Sequence, residues 1–126
     1  MSWVNDVLAD FGRSLGIEHL AFNEAGVVSL KFEVLGDLDI ERMEDGILVY
    51  LMRDLNRPGK EVYAAALELC HWQHNHPFQV NAALRGDRSL VFAVNLAESD
   101  FSVPAMEQLM QFLGHLHEQV LEGAPA

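Results

Sequence analysis

Four side chains that could bind a metal ion stand close together in the chain: Cys70, His71, His74 and His76. His71 and His74 are about one helical turn apart, so they could share a metal with Cys70 or His76. However, their spacing matches no established zinc pattern, and a helix C-terminus also favours histidine through its dipole. We therefore predict no bound metal and no cofactor. A small metal- or ligand-binding domain built on Cys70, His71 and His74 stays open as an alternative.

The other candidates for chemistry have simpler explanations. His115 and His117 are two residues apart on a predicted helix, so they point to different faces and cannot form a simple metal pair. The acidic residues around two predicted turns are Asp37, Asp39, Glu41, Glu44 and Asp45. They lack the loop glycine and the closing glutamate of a calcium loop. Because the sequence also has no nucleophile elbow and no phosphate-binding loop, it predicts no catalytic residue and no enzyme.

A predicted helix between Arg57 and Pro77 must position the cysteine and the histidines. Three consecutive alanines and a proline near each end indicate about four helical turns. Only one narrow stripe of this helix is polar, and it runs through Glu61, Ala64, Glu68, His71 and Asn75. A helix that is apolar on most sides needs cover from more than one direction. We expect a second subunit to supply part of that cover.

The composition is that of a small acidic globular domain. We expect residues 1–126 to form a single domain, since half of them are hydrophobic and no segment is of low complexity. The net charge of −11 argues against a nucleic acid partner. No apolar run approaches the ~20 residues of a membrane span, and the N-terminus does not resemble a signal peptide. The single cysteine, Cys70, excludes an internal disulfide and favours a reducing, cytosolic compartment.

Hydrophobic periodicity predicts three helices and five strands in all. Residues 2–15 and 102–123 carry helical apolar stripes, and the Ser102 hydroxyl can cap the last helix. Residues 47–52 are apolar at every position, which predicts an inner strand covered on both faces. Four further segments alternate between apolar and polar positions as strands do, namely 27–34, 38–41, 78–84 and 90–96. The order α-β-β-β-α-β-β-α indicates an α+β sandwich, one antiparallel sheet with helices packed on it, expected to be dimeric.

Both ends of the chain carry sequence that a known family shares. These stretches are Met1-Ser2-Trp3-Val4, Phe11, Leu15-Gly16-Ile17, Val103-Pro104, Gln111-Phe112-Leu113 and Glu118-Gln119-Val120-Leu121. With the element order, the acidity and the apolar middle helix, they make the chain resemble the class I type III secretion chaperones, the CesT/SycE-like group. Within that group the chain looks most like the SycN-type chaperone of the secretion gatekeeper.

The resemblance implies a dimeric, non-catalytic chaperone of the bacterial cytoplasm. Such proteins keep the N-terminal segment of a secreted effector or gatekeeper extended and ready for export, without inserting into a membrane. The implied dimer contact lies at Val62, Ala66, Leu69, Cys70, Trp72, Phe78 and Val80. The implied client-binding patches lie at Val4, Leu8, Phe11, Leu30, Phe32 and Ile40. SycN-like members pair with a different chaperone subunit, so a homodimer and a heterodimer both stay open, as does a client-free dimeric adaptor.

Overall fold

The computed structural model describes residues 3–55, 59–71 and 76–123, which form three α-helices and five β-strands. In chain order the elements are α1 (Trp3–Ser14), β1 (Val27–Phe32), β2 (Gly36–Met43), β3 (Gly46–Asp54), α2 (Gly59–Leu69), β4 (Val80–Arg85), β5 (Ser89–Leu96), a short 3-10 helix (Glu98–Asp100) and α3 (Val103–Gly123). The predicted α+β class and the predicted order of elements are confirmed.

The five strands form one sheet in the order β1-β2-β3-β5-β4, and every neighbouring pair is antiparallel. Strands β1 and β4 are therefore the edges, and β3 is the centre. One face of the sheet, the covered face, packs under the helices through residues that include Leu38, Ile40, Val49, Leu51 and Phe92. No helix of the described residues packs on the opposite side, which we call the open face.

Strand β3 corrects one prediction from the sequence. Its apolar side chains do point to both faces of the sheet. Ile47, Val49 and Leu51 are fully buried on the covered face, whereas Leu48 and Tyr50 stay partly exposed on the open face. The expectation of a strand covered on both faces is therefore wrong for the described part of this protomer.

Helix α2 ends at Leu69, several residues before its predicted end. The Cys70 N–H lies 3.2 Å from the Ala66 carbonyl oxygen and 3.1 Å from that of Leu67, so the last turn tightens. The His76 Nε2–H donates to the carbonyl of Leu69 at 2.6 Å. This contact satisfies a carbonyl that the helix leaves without an internal partner.

Helix α3 begins as predicted, because the Ser102 hydroxyl accepts a hydrogen bond from the Ala105 N–H at 3.1 Å. The helix also fixes the turn between β1 and β2. A Cβ added to Gly114 would lie 2.9 Å from Leu35 Cδ1, so the glycine lets Leu35 pack against the helix. The Arg53 side chain holds the same turn, donating from Nε to the Leu35 carbonyl at 2.6 Å and from a terminal nitrogen to Glu118 at 2.9 Å.

Candidate functional site

Four of the six residues predicted to bind a client lie in the core. Val4, Leu8, Phe11 and Ile40 are fully buried, so they form no exposed patch on this protomer, and their contact with a client stays a prediction. The apolar stripe of α1 packs into the protomer's own core, next to α3, and is buried there. The largest apolar side chain that α1 leaves outside is Trp3.

The other two predicted client-binding residues, Leu30 and Phe32, are half-buried on strand β1. Because β1 is an edge of the sheet, no described strand pairs with its outer side. The turn that follows β1 leaves Val34 83% exposed, although the alternation over 27–34 placed it in a longer strand, on the same face as Leu30 and Phe32. Leu30, Phe32 and Val34 thus form a partly open apolar strip, which we call the β1 edge.

The register shows which backbone groups of the β1 edge face outward. The Arg42 N–H donates to the Gly26 carbonyl at 2.7 Å, so these two residues form a hydrogen-bonded pair. Hydrogen-bonded and non-hydrogen-bonded pairs alternate along an antiparallel ladder. Ser29 and Lys31 therefore direct their N–H and C=O groups away from β2. These groups are available to an added strand.

The predicted dimer contacts also divide by burial. Val62, Ala66 and Val80 are buried in the protomer's own core, and their part in a subunit contact stays a prediction. The half-buried members are Leu69, Cys70 and Phe78, and Trp72 lies outside the described residues. The helix has a second, outward side, on which Ala64 and Glu68 are exposed and Leu67 is 48% exposed.

Two residues that follow α2, His76 and Phe78, pack against Phe112 of α3. The His76 ring meets the Phe112 ring edge-on, with 5.3 Å between ring centroids. Phe78 also contacts the Phe112 ring, with 5.5 Å between the two ring centroids. Among the described residues, no three histidine, cysteine, aspartate or glutamate side chains come together as a metal site would require, and His74 lies outside them. His76 is used here to close the end of α2.

Burial raises the pKa of the Cys70 thiol to about 11. The thiolate is the reactive form of cysteine, so a thiol with this pKa is almost wholly protonated near neutral pH. Cys70 is therefore a packing residue at the end of α2, as its position in an apolar helix indicated.

The family model of the type III secretory system chaperone SycN matches residues 3–121 of the chain. The chain belongs to this chaperone family. A comparison with curated proteins finds no match.

Several solved structures share the fold of this SycN-family chain. One is the Yersinia pestis chaperone SycH in complex with a stable fragment of YscM2, with 16% identity, TM-score 0.69, and 94% of this chain and 98% of that chain covered. The ExsC–ExsE complex gives 18% identity, TM-score 0.75, and coverage of 98% and 95%. The heterodimeric ExoU–SpcU complex of Pseudomonas aeruginosa gives 20% identity, TM-score 0.63, and coverage of 94% and 94%.

The sequence did not reveal one polar residue of the SycN-family core. His117 on α3 is 2% exposed, and its Nε2–H donates to the Leu51 carbonyl on β3 at 2.9 Å. Its ring meets Phe92 edge-on, with 4.9 Å between centroids. Burial lowers the pKa of His117 to about 4, so the neutral ring is the folded form. His115, two residues earlier on the same helix, is exposed, and nothing in the sequence indicated that His117 is buried.

Within residues 3–55, 59–71 and 76–123 of this family member, no helix combines the length and the apolar character that crossing a membrane requires.

Proposed function

We propose that this chain is a non-catalytic chaperone that binds the N-terminal segment of a type III secreted effector or gatekeeper and keeps it ready for export. The observation that carries this proposal is the SycN chaperone family match over residues 3–121. The structures of similar fold support it, because one is a type III secretion chaperone bound to a fragment of YscM2 and another is the HopA1–SchA chaperone–effector complex. The site of action is the bacterial cytoplasm, and the chain works as a single domain.

The client segment adds to the β1 edge as an extended strand. Ser29 and Lys31 offer the backbone hydrogen-bonding groups, since their pairing with β2 is of the non-hydrogen-bonded kind. Leu30 and Phe32 offer apolar contact to every second side chain of the client. Strand addition of this kind takes affinity from the main chain and specificity from the side chains. It requires no nucleotide and no chemical step.

Several apolar anchors are needed for a stable complex. Each client side chain that leaves water contributes about 1.5–3 kcal/mol, less the cost of ordering the segment. The β1 edge is short, with six residues in the strand. We therefore infer that the client continues beyond this edge onto other parts of the surface.

A second chaperone subunit packs on the outward side of α2. Leu67 and Ala64 lie on this side, next to the half-buried Leu69 and Cys70 at the helix end. The partner is either another copy of the chain or a different chaperone subunit. In both cases Leu67 is the apolar residue of α2 that gains most from being covered.

Co-expression with secreted proteins encoded in neighbouring genes tests the proposed function. The chaperone and the client's N-terminal segment are expected to elute together in size-exclusion chromatography. Leu30→Lys with Phe32→Lys removes two apolar anchors and is expected to abolish co-elution. The matched control is Met43→Lys, an exposed apolar residue at the opposite end of β2, which is expected to leave co-elution intact.

A second variant separates backbone pairing from side-chain contact. Ser29→Pro removes one outward N–H, and an edge strand tolerates proline at such a position. Its circular dichroism is expected to match that of the unchanged protein, while its complex with the client weakens about threefold to tenfold, the value of one hydrogen bond. The proposal is wrong if neighbouring secreted proteins never co-elute with the unchanged chain, or if all three variants bind them equally well.

A further inference from the structure

The open face of the sheet is a continuous surface built from four strands and part of a fifth. The register brings its side chains into three rows that run across the strands. The rows are Val27–Glu41–Leu48–Asn95, Ser29–Asp39–Tyr50–Ala93–Asn81 and Lys31–Asp37–Met52–Val91–Ala83. The apolar side chains thus come mainly from β3 and β5, while β2 contributes only acids to these rows.

The apolar part of the open face forms a shallow depression. Leu48, Tyr50, Val91 and Ala93 line it, and none of its lining residues belongs to a helix. Leu48, Tyr50 and Val91 are partly exposed. Arg85 also lines the depression, and its Nη1 lies 4.0 Å from Met52 Sδ, so this side chain reaches across the Val91 end of the floor and leaves the Leu48 end open. An apolar floor of this kind on the middle strands of a sheet indicates a surface that a partner covers.

A row of carboxylates borders this floor on one side. Asp37, Asp39 and Glu41 alternate along β2, so their spacing is about 6.8 Å. Asp39 and Glu41 pair across the sheet with uncharged residues on both β1 and β3. Two cations face the other end of the row, since Lys31 is opposite Asp37 and Arg85 lines a pocket together with Asp37 and Asp39. The negative charge therefore concentrates toward the Glu41 end of the row.

Tyr50 shows that this charge reaches the apolar floor. Its hydroxyl donates to Glu41 Oε2 at 3.4 Å. Burial and, after it, the charges of Asp39 and Glu41 together raise the pKa of Tyr50 to about 12. The Tyr50 side chain thus lies between the carboxylate row of β2 and the apolar depression, and its ring is available for a cation–π contact from above.

We propose that the open face docks an amphipathic helix of the client that carries lysine or arginine along one edge of its apolar stripe. This inference rests on the proposed chaperone function. A basic residue at every fourth position of a helix repeats at about 6 Å, close to the spacing of the carboxylates along β2. Apolar residues three positions after each basic one are also about 6 Å apart, so two of them lie over Leu48 and Tyr50, which stand in adjacent rows. The helix is about 10 Å wide, so it covers two to three strands.

A designed peptide tests the open face without knowledge of the client. The probe is a 15-residue alanine-based helix with lysines at positions 3, 7 and 11 and leucines at positions 6 and 10. Residues three and four apart lie on the same side of a helix, roughly one turn from each other, so each leucine is next to the lysine three positions before it. Its matched partner has glutamate in place of each lysine. In an NMR titration of the full chain, the lysine peptide is expected to shift the amides of β2, β3 and β5. The glutamate peptide is expected to shift none of them.

Two double variants distinguish peptide binding at the open face from nonspecific attraction to an acidic protein. Asp39→Asn with Glu41→Gln is expected to weaken binding of the lysine peptide about threefold to tenfold, the value of two exposed ion pairs. Asp100→Asn with Glu107→Gln removes the same charge from exposed acids outside the open face and is expected to change binding less than twofold. Equal weakening by both pairs, or shifts that lie outside the open face, would overturn the proposal.

Two other outcomes also count against this inference. If a second copy of the chain covers the open face, Tyr50→Lys will change the oligomeric state and the lysine peptide will not bind. If the client co-elutes with the unchanged chain but ignores Asp39→Asn with Glu41→Gln, the docking site is wrong while the chaperone function stands. If the unchanged chain binds no client at all, the proposed function itself is wrong.

Discussion

The covered and open faces of the sheet differ in what shelters them, although β3 brings apolar side chains to both. On the covered face Val49 and Leu51 are fully buried, together with Phe92 of the neighbouring strand. On the open face Leu48 and Tyr50, from the same strand, stay partly exposed. An apolar pattern thus indicates that a surface will be covered, but it does not indicate by what. The protomer's own helices cover one face, and we assign the other to a partner.

The sharpest test of this difference compares two aromatic residues on adjacent strands. Phe92→Ala on the covered face is expected to lower the free energy of unfolding by about 3–5 kcal/mol, because it removes a fully buried ring. Tyr50→Ala on the open face is expected to lower it by less than about 1.5 kcal/mol, since part of the ring is already in water. Urea denaturation followed by circular dichroism measures both. Equal losses would mean that the two faces are equally sheltered.

The covered face also predicts a dependence of stability on pH. The pKa of His117 falls from 6.5 to about 4 on folding, so the unfolded chain binds the proton more tightly. The stabilisation is complete above pH 6.5 and declines as the pH falls toward 4, by at most about 3 kcal/mol. His117→Gln is expected to flatten this part of the pH profile of unfolding, whereas His115→Gln, on the exposed side of α3, leaves it unchanged. A profile that keeps its slope without His117 would show that other groups cause it.

The same contrast holds for the two sides of α2, and here it predicts assembly. Leu67→Glu on the outward side is expected to weaken subunit association at least tenfold, because a leucine that becomes buried contributes about 1.5–3 kcal/mol. Leu121→Glu is the matched control, since Leu121 on α3 is 46% exposed against 48% for Leu67. Light scattering across a concentration series, with the partner subunit present, measures the change. Association that tolerates Leu67→Glu would move the dimer contact away from α2.

The fold could be predicted because its signals are local. Alternation along β1, β4 and β5 and the serine cap of α3 each depend on a few neighbouring residues, and the structure contains all of them. The end of α2 could not be read in this way. The helix stops at Leu69 because its last turn tightens and because His76 reaches back to its carbonyl, and neither event has a pattern in the sequence.

The candidate site was harder to predict, because exposure is a property of the whole fold. The stripe of Val4, Leu8 and Phe11 could equally have faced a client or the protomer's own core, and only packing next to α3 decides for the core. Leu30 stays partly exposed because β1 is an edge strand. His117 was missed since its partner, the Leu51 carbonyl, is far away in the sequence.

Amide hydrogen exchange of the chain, with and without the bound N-terminal segment of its secreted client, tests the central claim most directly. The outward amides of Ser29 and Lys31 exchange freely in the unbound chain if β1 is an open edge. We predict that client binding slows their exchange strongly, while the amides of Val28 and Leu30, already directed at β2, change little. A client complex in which Ser29 and Lys31 exchange as fast as before would contradict strand addition at the β1 edge.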